Sequence, residues 1–515
     1  MRLDDRNTAS TEPADTPRSR LSDKLADWPL SGVIGLSLAY GLIHALARLG
    51  ASHNLGEREP LENIHAQTLA GAYSPDQLPL YDWLIWLLQQ VFGPEVYSFL
   101  IFKYSMLAAL AGFMFLVARR VTGSIPWALI AVESMALIYQ IFWRWHETHT
   151  HLIGAMVFSL AATWALMRAV DHQRWHDYAL LGVSIGLGCL TQLTFPLFIL
   201  ALACTSAWQA GVRQRLYIRR LLIVPPLTLL IIAPYVAWLT EKTDRLTAFA
   251  ASLHPSAWAD TGATPWLALW EGVQTPLLAL SPYLLFLFIL FPRVFSALLS
   301  HCRASTAHEA EVDWTRLLVH SVLLEWGVFL IVSVYWGLQR YSVQDLLPLF
   351  LIAIVALADG ARRSNPPELA KSRYMRLALL ISLLALLVRL GHMYVHEPIC
   401  KTCRWGEPYT VLAEKLGEAG FHGGTIFTAD SALGGNLRAY LPGSRIILAP
   451  ANELPPTCPT TPCLLINPGK QALDGPFAEP AHEVDIPWQH LWKPTGYRVS
   501  SWWFVLPAET ADQPK

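Results

Sequence analysis

Charge is what this chain has least of. Only 15% of its 515 residues are Asp, Glu, Lys or Arg, while 53% are hydrophobic and the mean hydropathy is +0.34. A soluble globular protein carries nearer ~25% charged residues, so an ordinary water-soluble fold is excluded. The formal net charge of −1 supplies no basic face for a phosphate backbone, which removes nucleic acid as a partner. The N-terminus lacks an apolar core. Residues 1–28 are polar, with Pro and Arg, and read as a disordered cytoplasmic tail rather than a cleavable signal. Internal repeats are missing too, as are low-complexity tracts beyond that tail. Cysteine is sparse, at seven residues. Cys189, Cys204 and Cys302 lie in or beside apolar runs and read as small core residues. Cys400, Cys403, Cys458 and Cys463 fall near the C-terminus, in CxxC and CPTTPC spacings. Zinc is one reading of them; an exported domain would make them disulfides, with the pairing left open.

What the chain does have is apolar runs of roughly spanning length, for which ~20 residues is the requirement. The first covers 29–47, and ten more centre near residues 108, 133, 160, 184, 203, 229, 288, 326, 351 and 383. About eleven transmembrane helices follow, with the boundary near Thr191-Gln192-Leu193-Thr194 the least defined. Basic residues in the short loops and at helix ends divide sixteen to seven between the two sides, placing the N-terminus in the cytoplasm. An odd helix count then puts residues 396–515 outside it, in agreement with the disulfide reading. The 21 Trp suit the membrane–water interface. Beyond residue 396 the pattern changes. Tyr409 to Ala419 has helical periodicity, and stretches 424–430, 444–449 and 463–467 read as short buried strands. The expected fold is an all-α polytopic membrane domain over 29–395, with outer loops 48–97 and 241–275. A small periplasmic α/β domain over 396–515 completes it.

The first outer loop carries the most chemistry. Glu57, Glu59 and Glu62 follow the first helix; Ile64 and Leu69 suggest a short amphipathic piece, and Leu78–Phe92 suits the interface better than a span. The loop contains A-Q-x-L-A-x-x-Y ending at Tyr73, P-L-Y-x-W-L around Tyr81, and Phe92-Gly93. Downstream come RRVTGS (119–124), WHETHTHLI (145–153), LLGVSIGLGCLTQLTFPLF (180–198), GLQRYSVQDLLPLF (337–350) and GTIFTADSALGGNLRAYLPGSRII (424–447). In this order the segments resemble the GT-C membrane glycosyltransferases related to dolichyl-phosphate-mannose mannosyltransferases. The resemblance is nearest to the bacterial aminoarabinose- and galacturonic-acid-transferase branch, and it covers nearly everything beyond residue 28. Where that family has Asp-Asp or Asp-Glu, this chain has Glu57-Arg58-Glu59-Pro60; Leu78-Pro79 replaces Pro-Pro, and Gln192 replaces a Lys.

The resemblance implies a GT-C-like fold and transfer of a sugar from a polyprenyl-phosphate donor to lipopolysaccharide core or lipid A. Protein mannosylation-like transfer ranks behind it. Such transfer needs a carboxylate base for the acceptor hydroxyl and cations for the departing phosphate. Glu59 matches the family's acidic position, with Glu57 and Glu147 as the other catalytic carboxylates. Lys103 and Arg340 are donor-phosphate candidates. A lone Lys103 inside a spanning helix should either snorkel outward or meet an anion. His149, His151, Tyr73 and Tyr81 are expected to line the acceptor side. Glu147, His149 and His151 are also suited to a divalent metal ion, although HETHTH is not the HExxH zinc pattern, because Thr150 stands four residues after His146. Glu62 reads as a solvated loop charge, and Glu133, His320 and Glu325 as intramembrane groups pairing with one another. The Trp-bearing loop 241–275 suits a lid. The alternatives are a non-catalytic envelope assembly protein and a transporter of a lipid-linked saccharide. The latter calls for repeat symmetry that the sequence lacks.

Overall fold

The computed structural model describes residues 20–75, 77–147, 149–253, 264–304, 311–336, 343–396, 405–449, 462–468, 481–489 and 494–506. Its helices, in chain order, begin with α1 (Arg20–Ala51), α2 (Glu59–His65), α3 (Leu80–Phe92), α4 (Val96–Thr122) and α5 (Ile125–Ser134). Two short turns, α6 (Tyr139–Phe142) and α7 (Arg144–Glu147), precede α8 (His151–His172), α9 (Trp175–Cys189) and α10 (Phe195–Trp208). Then come α11 (Ala210–Arg215), α12 (Ile218–Leu221), α13 (Val224–Thr240), α14 (Thr243–Leu253), α15 (Pro265–Leu290) and α16 (Val294–Arg303). The bundle closes with α17 (Trp314–Trp336), α18 (Leu347–Arg363) and α19 (Glu368–Gly391).

All eleven apolar runs are helical. Among the described residues seven helices are long and apolar enough to cross a membrane, or eight when the pair Ile125–Leu137 and Tyr139–Glu147 is taken as one span bent by 80°. The other three, α9, α10 and α18, have 15, 14 and 17 residues. Short helices are tolerated here because neighbours cover their ends: α18 is buried along nearly its whole length. Close backbone contact does the same for α9. A Cβ on Gly182 would stand 3.0 Å from the Val224 carbonyl, and one on Gly186 2.9 Å from the Ile231 side chain, so this four-residue glycine spacing lets α13 lie against α9. The core of the bundle is α4, α8 and α18, whereas α1, α15 and α19 turn leucines outward, as helices facing lipid do.

The loop after α1 folds into α2 and α3. Tyr81, Asp82, Ile85 and Gln89 of α3 point inward while Leu87, Val91 and Phe92 are exposed, the two-faced pattern of an interfacial helix. The second half of the expected loop 241–275 is instead the start of α15, because Pro265 at its first turn and the apolar run behind it propagate helix. Trp266 and Trp270 lie exposed on those turns, and Trp258 lies outside the described residues.

The C-terminal region is an α/β unit with α20 (Tyr409–Glu418) and α21 (Ser431–Tyr440). Its strands are β1 (Thr425–Thr428), β2 (Arg445–Leu448), β3 (Cys463–Asn467), β4 (His482–Gln489) and β5 (Pro494–Val505). The sheet order is β2-β1-β3-β5-β4; β1 is parallel to β2 and β3, and β5 is antiparallel to β3 and β4. Leu412, Leu416, Ile426, Leu437, Leu464 and Trp502 fill its core. Cys463 is disulfide-bonded, as the exported-domain reading expects, and Cys400, Cys403 and Cys458 lie outside the described residues.

Candidate active site

The C-terminal unit docks on the first loop through α21, and this contact builds the site. Asp430 caps α21 by accepting from the Ala432 and Leu433 amides. Gly435 then meets α2 so closely that a Cβ would stand 2.1 Å from the Pro60 carbonyl. Asn63 donates to the Gly435 carbonyl at 2.9 Å, and the Leu55 amide donates to Asn436 at 2.7 Å. Arg438 reaches through the contact to the Asn63 carbonyl (2.6 Å), Asn63 Oδ1 (2.6 Å) and Gln89 Oε1 (2.8 Å). Burial lowers its guanidinium to about 10. No carboxylate faces it in that set, so its donors are taken up by neutral oxygens.

Between α1, α2, α4, α7 and α21 lies a polar cavity of about 480 Å³. Glu57, Glu59, Lys103 and Glu147 all line it, together with Arg48, His146, Trp405, Asp430 and Asn436. Four residues singled out by sequence therefore meet in one chamber. Glu59 is buried; its Oε1 accepts from Lys103 Nζ at 2.9 Å and its Oε2 from the Gly56 amide at 3.0 Å. Burial alone would raise this carboxyl. The charges of Lys103 and Arg48 and the two hydrogen bonds outweigh it and hold the group below its ordinary value, so it is ionised. Lys103 has thus met an anion rather than snorkelled. Arg48 is held by the Ser52 and Asn54 carbonyls and lies 3.8 Å over the Trp405 ring. Glu147 pairs with Arg389, which reaches it from α19. Glu57 is exposed and sits at φ +51°, a left-handed conformation that a side chain rarely adopts.

His146 joins the chamber to a second space. Tyr40 and Tyr104 hydroxyls contact its two ring nitrogens at 3.0 and 3.2 Å, and His44 stacks on it at 4.0 Å. It also lines an apolar groove of about 260 Å³, with Leu36, Leu107, Ala111, Ile141 and Leu383. Glu133 lines this groove as well. Glu133, His320 and Glu325 do not pair with one another: His320 stacks on Trp208, and one Glu325 oxygen has no hydrogen bond. Helical phase separates them onto different neighbours.

The remaining expected residues lie elsewhere. His149 is buried and bonded to the Gln140 carbonyl at 2.9 Å, and burial pushes it down to about 4, so it is a neutral ring outside the cavity lining. His151 sits in a second polar cluster with Glu62, His65, Gln77 and Asp82, against which Tyr81 packs at 5.1 Å. Tyr73 stacks on His65 at 4.9 Å. Glu62 is fully buried, not solvated, because α2 turns it inward onto His151 at 3.2 Å. Burial would raise it, but His151 and hydrogen bonds with its neighbours hold it low. Burial would lower His65, yet Asp82 and Glu62 raise it to about 9; burial and the Glu62 charge lift Asp82 to about 7. Arg340 lies outside the described residues. Two motif segments do meet away from the cavity: Gln192 donates to Asp345 at 2.5 Å.

Sequence reasoning did not single out Arg48, Arg389, His146, Trp405 or the α21 residues as site components. Arg48 and Arg389 carried one legible signal, a basic residue at the end of a spanning helix on the side with fewer basic residues.

The class follows from the polytopic bundle with an α/β unit docked on its first loop, together with the proteins the chain resembles. This is an integral-membrane glycosyltransferase of the GT-C type. The family model for dolichyl-phosphate-mannose-protein mannosyltransferase matches residues 75–238. Among curated proteins the chain is similar to lipopolysaccharide core galacturonosyltransferase RgtB of Rhizobium johnstonii, at 24% identity over 421 residues, 82% of this chain and 83% of that protein. It is 21% identical over 428 residues to RgtA of the same organism, also described as a lipopolysaccharide core galacturonosyltransferase, with coverage of 82% and 83%. The solved structure of ArnT from Cupriavidus metallidurans bound to undecaprenyl phosphate shares the fold, with a TM-score of 0.56, 14% identity, and 85% of this chain and 93% of that one covered. Its apo form aligns with a TM-score of 0.53 at 12% identity, with the same coverage.

Proposed function

We propose that the chain moves a sugar from a polyprenyl-phosphate donor onto an envelope glycolipid, lipopolysaccharide core or lipid A, at the periplasmic face of the bacterial inner membrane. The observation that carries this reading is the pairing of two spaces at His146: a chamber with carboxylates and buried cations, and an apolar groove beside it. A polyprenyl phosphate needs both, an ionic seat for the head and an apolar one for the tail. The named activity of RgtB and RgtA supports the acceptor, and the undecaprenyl phosphate held by ArnT supports the donor. A uronosyl group is the first sugar expected.

In this reading Glu59 takes the proton of the acceptor hydroxyl. The acceptor oxygen forms its bond to the sugar C1 as the C1–phosphate oxygen bond breaks, with inversion, and the electron pair leaves on the phosphate. Arg48 and Lys103 neutralise that charge. Lys103 has a double part, because it is bonded to Glu59 before the donor arrives. A phosphate drawing Lys103 away would raise the basicity of Glu59 only when donor is bound, which couples base activation to loading. Glu147, tied to Arg389, would orient the acceptor. The test is mass spectrometry of envelope glycolipids from a deletion strain carrying wild type or Glu59→Gln. A sugar-sized mass deficit repaired only by wild type is expected; repair by both would remove Glu59 from the chemistry.

A further inference from the structure

One turn along α2 from Glu59, the loop makes a second polar centre that the transfer chemistry does not use. Ligand-type atoms of Glu62, Asp82 and His151 lie within 4.8 Å of one another. Three of the contacts in the cluster are tighter: His151 Nε2 to Glu62 Oε1 at 3.2 Å, His65 Nδ1 to Asp82 Oδ1 at 3.5 Å, and His65 Nδ1 to Glu62 Oε2 at 3.7 Å. Ligand atoms around a tetrahedral ion, each at ~2.0–2.1 Å, are themselves about 3.3 Å apart. The spacing is therefore near what a small cation imposes, and a modest contraction would complete it.

The hydrogen bonding leaves acceptors open. Asp82 is fully buried, yet neither of its carboxylate oxygens has a hydrogen bond; His65 Nδ1 approaches one of them without hydrogen-bond geometry. Buried polar atoms without partners are rare in folded proteins. Among the described residues no Lys or Arg forms an ion pair with Glu62 or Asp82, although every other buried carboxylate of the loop, namely Glu59, has one.

We propose that Glu62, Asp82, His151 and His65 bind one divalent cation, with Zn²⁺ the ion best suited to two imidazoles and two carboxylates. The site joins α2, α3 and the first residue of α8, so the ion clasps the first loop to the bundle and fixes the helix that carries Glu59. None of its four ligands lines the 480 Å³ chamber, which makes it a positioning site rather than a Lewis acid for the reaction. It stands whether or not the sugar reading of the neighbouring chamber holds, because metal content is measured without substrate.

The experiment uses the full chain purified in detergent, stripped with a chelator and given Zn²⁺ alone. Bound metal is then counted by elemental mass spectrometry, and melting is followed with and without the ion. About one Zn²⁺ per chain and a higher melting temperature are expected, since an ion that binds only the folded state stabilises it. Asp82→Asn and Glu62→Gln should each weaken retention by more than the ~10–100-fold typical of losing an outer-shell partner. Glu59→Gln should retain the metal. Wild-type protein that keeps no Zn²⁺ and melts unchanged overturns the site, as does undiminished retention by Asp82→Asn. Should either ligand variant fail to fold, the wild-type melting response to Zn²⁺ decides alone.

Discussion

At the residue scale the dominant feature is a buried ion pair. Lys103 and Glu59 meet at 2.9 Å with both side chains almost wholly enclosed. Removing one partner leaves the other charged in the core, which costs roughly 3–5 kcal/mol. Lys103→Met should therefore destabilise the fold more than the double variant Lys103→Met/Glu59→Gln, a comparison that chemical denaturation in detergent can make. The pair also sets an acid limit. The folded Glu59 carboxyl lies below its ordinary value of 4.5, so its contribution is complete above that value and is lost as pH falls through the lower folded one. Melting temperatures of wild type and Glu59→Gln, followed from neutral pH into the carboxylate range, should converge as the solution becomes more acid. A constant gap would mean that Glu59 does not titrate with folding. Glu59, Glu57, Lys103 and Glu147 all line one cavity and were legible in the sequence, the carboxylates through the family resemblance and the lysine because a lone intramembrane charge must snorkel or meet an anion. Arg48 and Arg389 were not, because an arginine at a helix end has the same sequence signature whether it snorkels or turns inward.

At the scale of elements, the contact between α2 and α21 decides whether there is a site at all. It brings the chain near residue 60 against the chain near residue 435, and only a residue without a Cβ permits the approach at Gly435. Gly435→Ala should force the two helices apart at a cost of roughly 1–3 kcal/mol, the usual range for overpacking. Arg438→Met should add a similar loss by leaving the buried Asn63 and Gln89 oxygens short of donors. Limited proteolysis of the purified chain reads both: the C-terminal unit should be released faster while the bundle stays intact. Unchanged protection would show that docking does not depend on this contact. The individual elements were easy to anticipate. Leu78–Phe92 is amphipathic by pattern, and the strands are short apolar runs bounded by turn residues. Their partners were not, since nothing in GGNLRAY announces that Gly435 faces Pro60 while Gly434 faces Thr428 and Ile446 of the neighbouring strands.

At the scale of the whole molecule, docking constrains the topology. The C-terminal unit touches residues that follow α1, so the number of crossings after α1 is even. Seven of those crossings are the candidate spans beyond α1, with the bent α5–α7 pair counted once. An odd number of the three short helices α9, α10 and α18 must then cross too, and all three crossing gives the eleven that the apolar runs suggest. A phosphatase reporter active only outside the cytoplasm should work when fused to the C-terminus and stay silent at the N-terminus. Activity at both ends, or at neither, would contradict the parity.

The sequence by itself determined the solvent this protein lives in, the order of its apolar helices, the existence of a C-terminal α/β unit and the acidic character of the first loop. These follow from composition and periodicity, which act over a few turns of chain. Only the tertiary structure decided that Glu59 is locked to Lys103 and that Glu147 is held by Arg389, 242 residues further along the chain. It also decided that Glu62 is buried with Asp82 and His151 and that His146 stands between a polar chamber and an apolar groove. Each depends on which distant segments share one low-dielectric space. In that space a charge must find a partner, and local sequence does not record which partner it finds.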